Sequence, residues 1–182
     1  MKVVWEGSFA SFAGPGIDHP NEMMRVTEDE ARMLLAGLEA IEWQAGQPVP
    51  GHRGLSLCHA AATWTTALFH GDAIIGFYAA SYLWLAKAYR GLGLSTPLIL
   101  AAASQRGGSC MPPGVVSQGY TAASLAAHRS AYRQAVLQAL ADGLPVPESV
   151  VAALPLPRGK AGKTARSGVS QIFSAGKVQA RR

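Results

Sequence analysis

Apolar positions recur along this chain with two different periods, and the switches between them divide it into elements. Leu34, Leu35, Leu38 and Ile41 fall on one face at three- and four-residue spacing, which predicts a helix ending near Trp43. Thr27 stands before it as an N-cap, Glu30 completes a capping box, and Glu28, Asp29 and Glu30 suit the positive helix end. A second amphipathic helix is predicted from about Ala122 to Ala141, with Leu125, Tyr132, Val136 and Leu140 on one stripe. Gly143 stops it, and Pro145 and Pro147 follow.

Strand patterning occupies the intervals. Lys2–Phe9 (KVVWEGSF) and the alternating, β-branched Thr63–His70 (TWTTALFH) both read as strands. After a turn at Gly71-Asp72, the apolar run Ala73–Ala86 reads as one long strand with a bulge near Ala79-Ala80-Ser81. Arg90-Gly91-Leu92-Gly93-Leu94-Ser95 is a glycine turn, and Thr96–Gln105 a very apolar helix capped by Ser95, with Pro97 tolerated in its first turn. Gly14–Asn21 and Gly46–Gly54 are turn and loop by their Gly and Pro content; Gly107–Gly119 is loop with a short strand at Val115-Val116. Strands and helices in this order predict an α+β fold.

Composition narrows the class. A chain of 182 residues, 49% hydrophobic and 15% charged, suits one well-buried domain. Cys58 and Cys110 are too few and too far apart for a disulfide framework or a cysteine zinc site. The opening MKVVWEGSFA lacks the pattern of a signal peptide, and the Ala73–Ala86 run is too short to span a bilayer. The expectation is a soluble cytoplasmic protein with no membrane partner. The net charge of +5 is unevenly placed: Arg158–Arg182 carries seven cations and no acid, leaving nine Lys/Arg against eleven Asp/Glu, a net of −2, in residues 1–157. The chain thus divides into a mildly acidic domain, 1–157, and a basic tail, 158–182, expected to be a mobile terminus or to contact nucleic acid or another polyanion.

The informative stretch is Leu83 to Ser95, an apolar strand entering a glycine turn and then a helix N-terminus. Glycines let successive N–H groups converge, and the helix end adds partial positive charge, so this is an anion site. Arg90 supplies a fixed charge or positions the turn. A dinucleotide fingerprint fails, because Thr96 replaces the third glycine and no acid lies between Asp72 and Asp142. A Walker loop fails as well: Gly162-Lys163-Thr164 has Pro157 where the first glycine belongs. A hydrolase elbow at Gly93-Leu94-Ser95 lacks its final glycine, and no acid lies between Ser95 and His128.

The stretch resembles the acetyl-CoA signature of the GNAT superfamily, Arg/Gln-x-x-Gly-x-Gly/Ala after an apolar strand. Arg90, Gly93 and Ser95 stand at the three positions, with Ser95 a small departure and Lys87 where many members have proline. The detailed match covers about twenty residues. The resemblance implies a mixed, mainly antiparallel central sheet flanked by helices, and acetyl-CoA as donor to an amine acceptor. It also implies that N–H groups of Arg90, Gly91, Leu92, Gly93, Leu94 and Ser95 hold the pyrophosphate. Leu83, Trp84 and Leu85 would bond the pantetheine arm and offer an N–H to the thioester oxygen.

Family members often place a catalytic tyrosine on a later helix. Here Tyr132 is the first candidate for general acid and His128, four residues before it on the same face, for acid or base, with Tyr120 behind both. A water, a backbone carbonyl, Glu39 or Glu42 are alternatives for the base. His52, His59 and His70 show no ligand spacing and read as structural. The acceptor loops are expected at Phe9–Met24, Trp43–Leu55 and Arg106–Tyr120, whose few charges argue against an acidic pocket for a polycation. The other readings are a catalytically inactive binding protein on the same fold, and a nucleic-acid-associated protein using its tail.

Overall fold

The capping box at Thr27 forms as its sequence dictates. In the computed structural model, which describes residues 3–14, 19–115 and 118–154, Thr27 Oγ1 accepts the Glu30 N–H at 3.2 Å and the Glu30 carboxylate accepts the Thr27 N–H at 2.8 Å. The predicted basic tail lies outside the described residues. The helix started by this box, Glu28–Glu39, is the second of the fold (α2); the first (α1) is a short helix at Phe9–Ala13.

That first helix corrects the expected strand at Lys2–Phe9. Val4–Glu6 is a 3-10 turn, Ser8 Oγ accepts the Ser11 N–H at 3.2 Å, and Phe12 and Ala13 turn into the core. A serine cap followed by two phenylalanines three apart favours one helical turn over an alternating strand.

Five strands follow among the described residues: β1 (Gln47–Pro48), β2 (Leu55–Ala60), β3 (Thr65–His70), β4 (Ala73–Ala79) and β5 (Tyr82–Leu85). They form one sheet in chain order, and all four pairings are antiparallel. The long strand expected over Ala73–Ala86 is therefore two strands. Ala80-Ser81, expected as a bulge, is the two-residue hairpin turn, with Ala80 left-handed at φ 48°. The bulge lies earlier: Phe69 faces Ile74 while Leu68 faces Gly76, so Ile75 is the extra residue. It shifts the face alternation, which lets Ile75 and Tyr78 share one face while Ile74 and Phe77 share the other.

Helix α3 (Ser95–Gln105) and helix α4 (Ala122–Ala141) complete that first face. Leu98, Ile99, Ala102 and Ala103 of α3 are buried between the sheet and α4, which explains a helix apolar nearly all round. From α4, Leu125, His128, Ala131, Tyr132, Val136 and Ala139 are buried, while Leu140 of the expected stripe is exposed. Gly143 ends α4, with the Leu144 N–H returned to Ala139 O at 2.9 Å, and a short unexpected helix, α5 (Glu148–Ala152), buries Val150. On the other face α2 packs Ala31 and Leu38 against Phe77 and Trp84, whose rings stack at 5.6 Å. The layers are thus α2, sheet, α3, α4, an α+β fold. Val115 lies in no strand, and the other half of the strand expected at Val115-Val116 lies outside the described residues. No described helix is long and apolar enough to cross a membrane.

Candidate functional site

The glycine turn sits between the edge of the sheet and the start of α3. Among the described residues, strand β5 pairs with β4 on one side alone. The Ala86 N–H bonds Ile75 O at 2.8 Å, so alternation back along the hairpin turns the main-chain groups of Leu83 and Leu85 away from β4. After a 3-10 turn at Lys87–Tyr89 come Gly91 and Gly93, both left-handed at φ 78° and 77°, with open space where a Cβ would stand. No hydrogen bond within the described residues occupies the N–H groups of Gly91, Leu92, Gly93, Leu94 or Ser95. Ser95 is the first residue of α3 rather than its cap; Leu94 holds the cap position and gives no side-chain bond.

The other two long helices contrast with α3. Helix α2 is capped by its box, and in α4 Thr121 Oγ1 accepts the Ser124 N–H at 3.2 Å while Glu22 Oε1 accepts the Ala122 N–H at 2.8 Å. That backbone bond, with Arg25 beside it, holds the Glu22 carboxyl below its ordinary range. Helix α3 has no acid in its first turn.

Arg90 positions the turn. Its Nε donates to Leu85 O at 2.7 Å and its Nη2 to Glu28 Oε1 at 2.9 Å, tying the turn to the edge strand and to the start of α2. A two-lobed cleft opens beside it. One lobe, about 370 Å³, lies between Leu83, Leu85 and the turn on one side and Ser124 and Ala127 of α4 on the other. The second, about 440 Å³, shares Leu83, Leu85, Arg90 and Ser124 and continues to Met24–Glu28, Gly119 and Tyr120. All nine residues expected to hold a donor thus belong to one strand-turn-helix unit, and seven of them, Leu83, Leu85, Arg90, Gly91, Gly93, Leu94 and Ser95, line the first lobe. A separate cavity of about 350 Å³ between Val4-Trp5, Leu100 and the later turns of α4 shares no residue with the cleft.

Tyr132 and His128 are placed elsewhere. The Tyr132 hydroxyl donates to Gly7 O at 2.6 Å, and its ring packs on Phe9 and Phe12. His128 is fully buried, with Nδ1 donating to Ser124 O at 2.7 Å and Nε2 accepting the Tyr78 hydroxyl at 2.9 Å. That donor pattern makes it a neutral imidazole, and burial lowers its pKa to about 4. Neither side chain lines the cleft. Tyr120 does; its hydroxyl donates to Ala13 O at 2.7 Å. Tyr89, in the first lobe, meets His70 Nδ1 at 2.8 Å, and His59 Nδ1 meets Thr66 Oγ1 at 3.0 Å.

Arg106 is a residue whose role sequence reasoning missed. It is buried with no carboxylate partner among the described residues, and its guanidinium lies 4.8 Å from the centre of the Tyr78 ring. It donates to the carbonyls of Ala80 (3.0 Å), Trp64 and Cys110. Ala80 and Trp64 are the two left-handed non-glycine residues among those described. An arginine just past the C-terminus of a predicted apolar helix was the signal, but its partners are 26 and 42 residues away. No group of three or more His, Cys, Asp or Glu with metal-binding placement occurs among the described residues. No protein-family model, curated protein or solved structure matches this chain.

Proposed function

We propose that this protein is an N-acetyltransferase that binds acetyl-CoA in the cleft between β5, the glycine turn and α4, and passes the acetyl group to an amine. The observation that carries the reading is the run of unoccupied N–H groups from Gly91 to Ser95, set at the uncapped start of α3 and beside an open strand edge. Backbone donors with a helix end behind them suit a pyrophosphate. The outward groups of Leu83 and Leu85 suit the amide-bearing arm, which would run along β5 as an added strand does. In the transfer the neutral amine nitrogen attacks the thioester carbonyl. The new C–N bond forms, the C–S bond breaks, the surplus amine proton passes to a base, and CoA leaves as a thiolate that takes up that proton to become the thiol. An N–H of β5 would stabilise the oxyanion. Glu28, on the second lobe, has Oε1 on Arg90 and no bonded partner for Oε2 among the described residues, which suits it to receive that proton.

Titration calorimetry with acetyl-CoA tests the donor site. Asn and Asp are nearly isosteric and differ in charge, so Gly93→Asn and Gly93→Asp separate strain at φ 77° from repulsion of phosphate. The expectation is micromolar binding by the wild type and a loss at least about tenfold greater for Asp than for Asn. No heat at millimolar acetyl-CoA sinks the reading. A second reading, a donor-binding protein without turnover, is favoured by the placement of Tyr132 and His128 away from the cleft. Binding without acetylation of any amine in a broad panel would select it.

A further inference from the structure

We propose that the amine accepted by this site is carried on an apolar chain or ring, which lies in a methionine-lined groove at the far end of the cleft. This rests on the acetyl-CoA reading above. If the phosphates sit at Gly91–Ser95, the donor's arm runs back along β5 from Leu85 toward Tyr82, and the thioester reaches the end of the cleft formed by Ser81, Leu83 and Met24–Val26. A groove of about 490 Å³ opens at that end, and Met24, Arg25 and Val26 belong to both spaces. Its walls are apolar and unusually exposed: Met23 is 93% exposed, Met33 76%, Tyr82 39% and Leu34 36%.

That exposure has a local cause. On α2, Ala31, Leu35 and Leu38 form the stripe that packs on the sheet, while Glu30, Met33 and Leu34 form a neighbouring stripe turned to the groove. Four large apolar side chains gathered in one concave space are what a ligand's hydrocarbon portion would cover. Methionine suits ligands of varied shape, because its side chain is unbranched and polarizable. Of the charged groups at the groove, Arg25 pairs with Glu22 and the Glu30 carboxylate accepts from Thr27, so they offer a polycation no free cluster of acids. Glu28 Oε2 on the adjoining lobe, with Oε1 held by Arg90, offers a single acceptor for one amine N–H. The acceptor chemistry that fits is therefore one amine with an apolar body.

The test compares kcat/KM for acetylation of 2-phenylethylamine, hexylamine and ethanolamine, with acetyl-CoA affinity measured separately by calorimetry. The expected result is a preference of about tenfold or more for the two apolar amines. In M23Q/M33Q, two exposed substitutions that leave the core intact, the ratio of kcat/KM for the apolar amines over ethanolamine collapses toward one while acetyl-CoA affinity holds; M23L/M33L retains it. Equal use of the three amines, or a preference that survives M23Q/M33Q, overturns the inference and leaves the donor site standing. Failure to bind acetyl-CoA overturns both.

Discussion

Lowering the pH from 7 to 4 should destabilise this protein chiefly through His128. The imidazole is enclosed: Nδ1 faces a carbonyl at 2.7 Å, Nε2 faces the Tyr78 hydroxyl at 2.9 Å, and the Tyr120 ring centre lies 4.1 Å away. Charging it places a cation in an apolar interior and forces Tyr78 to give up its acceptor. Burial lowers the folded-state pKa from 6.5 to about 4, with the Ser124 carbonyl opposing the shift. Because the folded value is the lower one, the unfolded chain binds more protons between these values. Stability is then intact above pH 6.5 and falls as the pH drops toward 4. The loss relative to pH 7 is about 2 kcal/mol at pH 5 and about 3 kcal/mol at pH 4. Urea unfolding followed by tryptophan fluorescence at pH 7, 5 and 4 reads it as a falling midpoint. His59, also lowered by burial, titrates in the same direction, so His59→Gln is the control that must keep most of the slope. In His128→Gln the slope between pH 6.5 and 4.5 should largely vanish, although the variant is less stable at pH 7. A wild type whose stability is flat over that window, or a His128→Gln protein that loses as much as wild type, would refute the account.

Substitutions at three further positions probe the frame of the cleft. Arg106→Met leaves three carbonyls without their charge-assisted donor and should cost about 3–5 kcal/mol in urea unfolding, and Arg106→Lys should recover only part. A loss under about 1 kcal/mol would show that water replaces the guanidinium. Ala80→Gly removes the strain of a left-handed alanine at φ 48° and should raise the thermal midpoint, by up to about 1 kcal/mol in stability; a lower midpoint would mean the methyl group packs favourably. Phe77→Ala empties the fully buried ring stacked on Trp84 and should cost about 3–5 kcal/mol, with earlier hydrogen exchange in α2 than in α3 or α4. Uniform loss of protection across all three helices would contradict the separate packing of α2.

Local chemistry was enough to read several elements from the chain alone. Thr27 and Glu30 sit three apart and cap α2 without help from elsewhere, and Gly143 closes α4 with bonds no longer than one turn. The Gly71-Asp72 turn and the strand before it needed only short-range preferences. The glycine turn at Arg90–Ser95 was legible for the same reason: two left-handed glycines and a following helix start are properties of neighbours in sequence. The acyl-donor reading is therefore anchored in the part of the chain that speaks most plainly.

Other features were settled by residues far away. Nothing in Ala79-Ala80-Ser81-Tyr82 resembles a turn, since it has no Gly, Asn, Asp or Pro; the chain reverses there, and Arg106, 26 residues on, holds the Ala80 carbonyl. That reversal makes β5 an edge strand, and without it the cleft would have no open main chain. The turn at Phe9–Ala13, started locally by its serine cap, is held because Phe12 buries against His128 and Tyr132 of α4. The same contacts decided the fate of the two residues first expected at the chemistry. Their shared helical face was readable from a spacing of four, but what that face meets, the Gly7 carbonyl and the Tyr78 hydroxyl, comes from 125 and 50 residues away. A sequence determines which face a residue lies on through the helical period; only packing determines whether that face looks into a cleft or into the core.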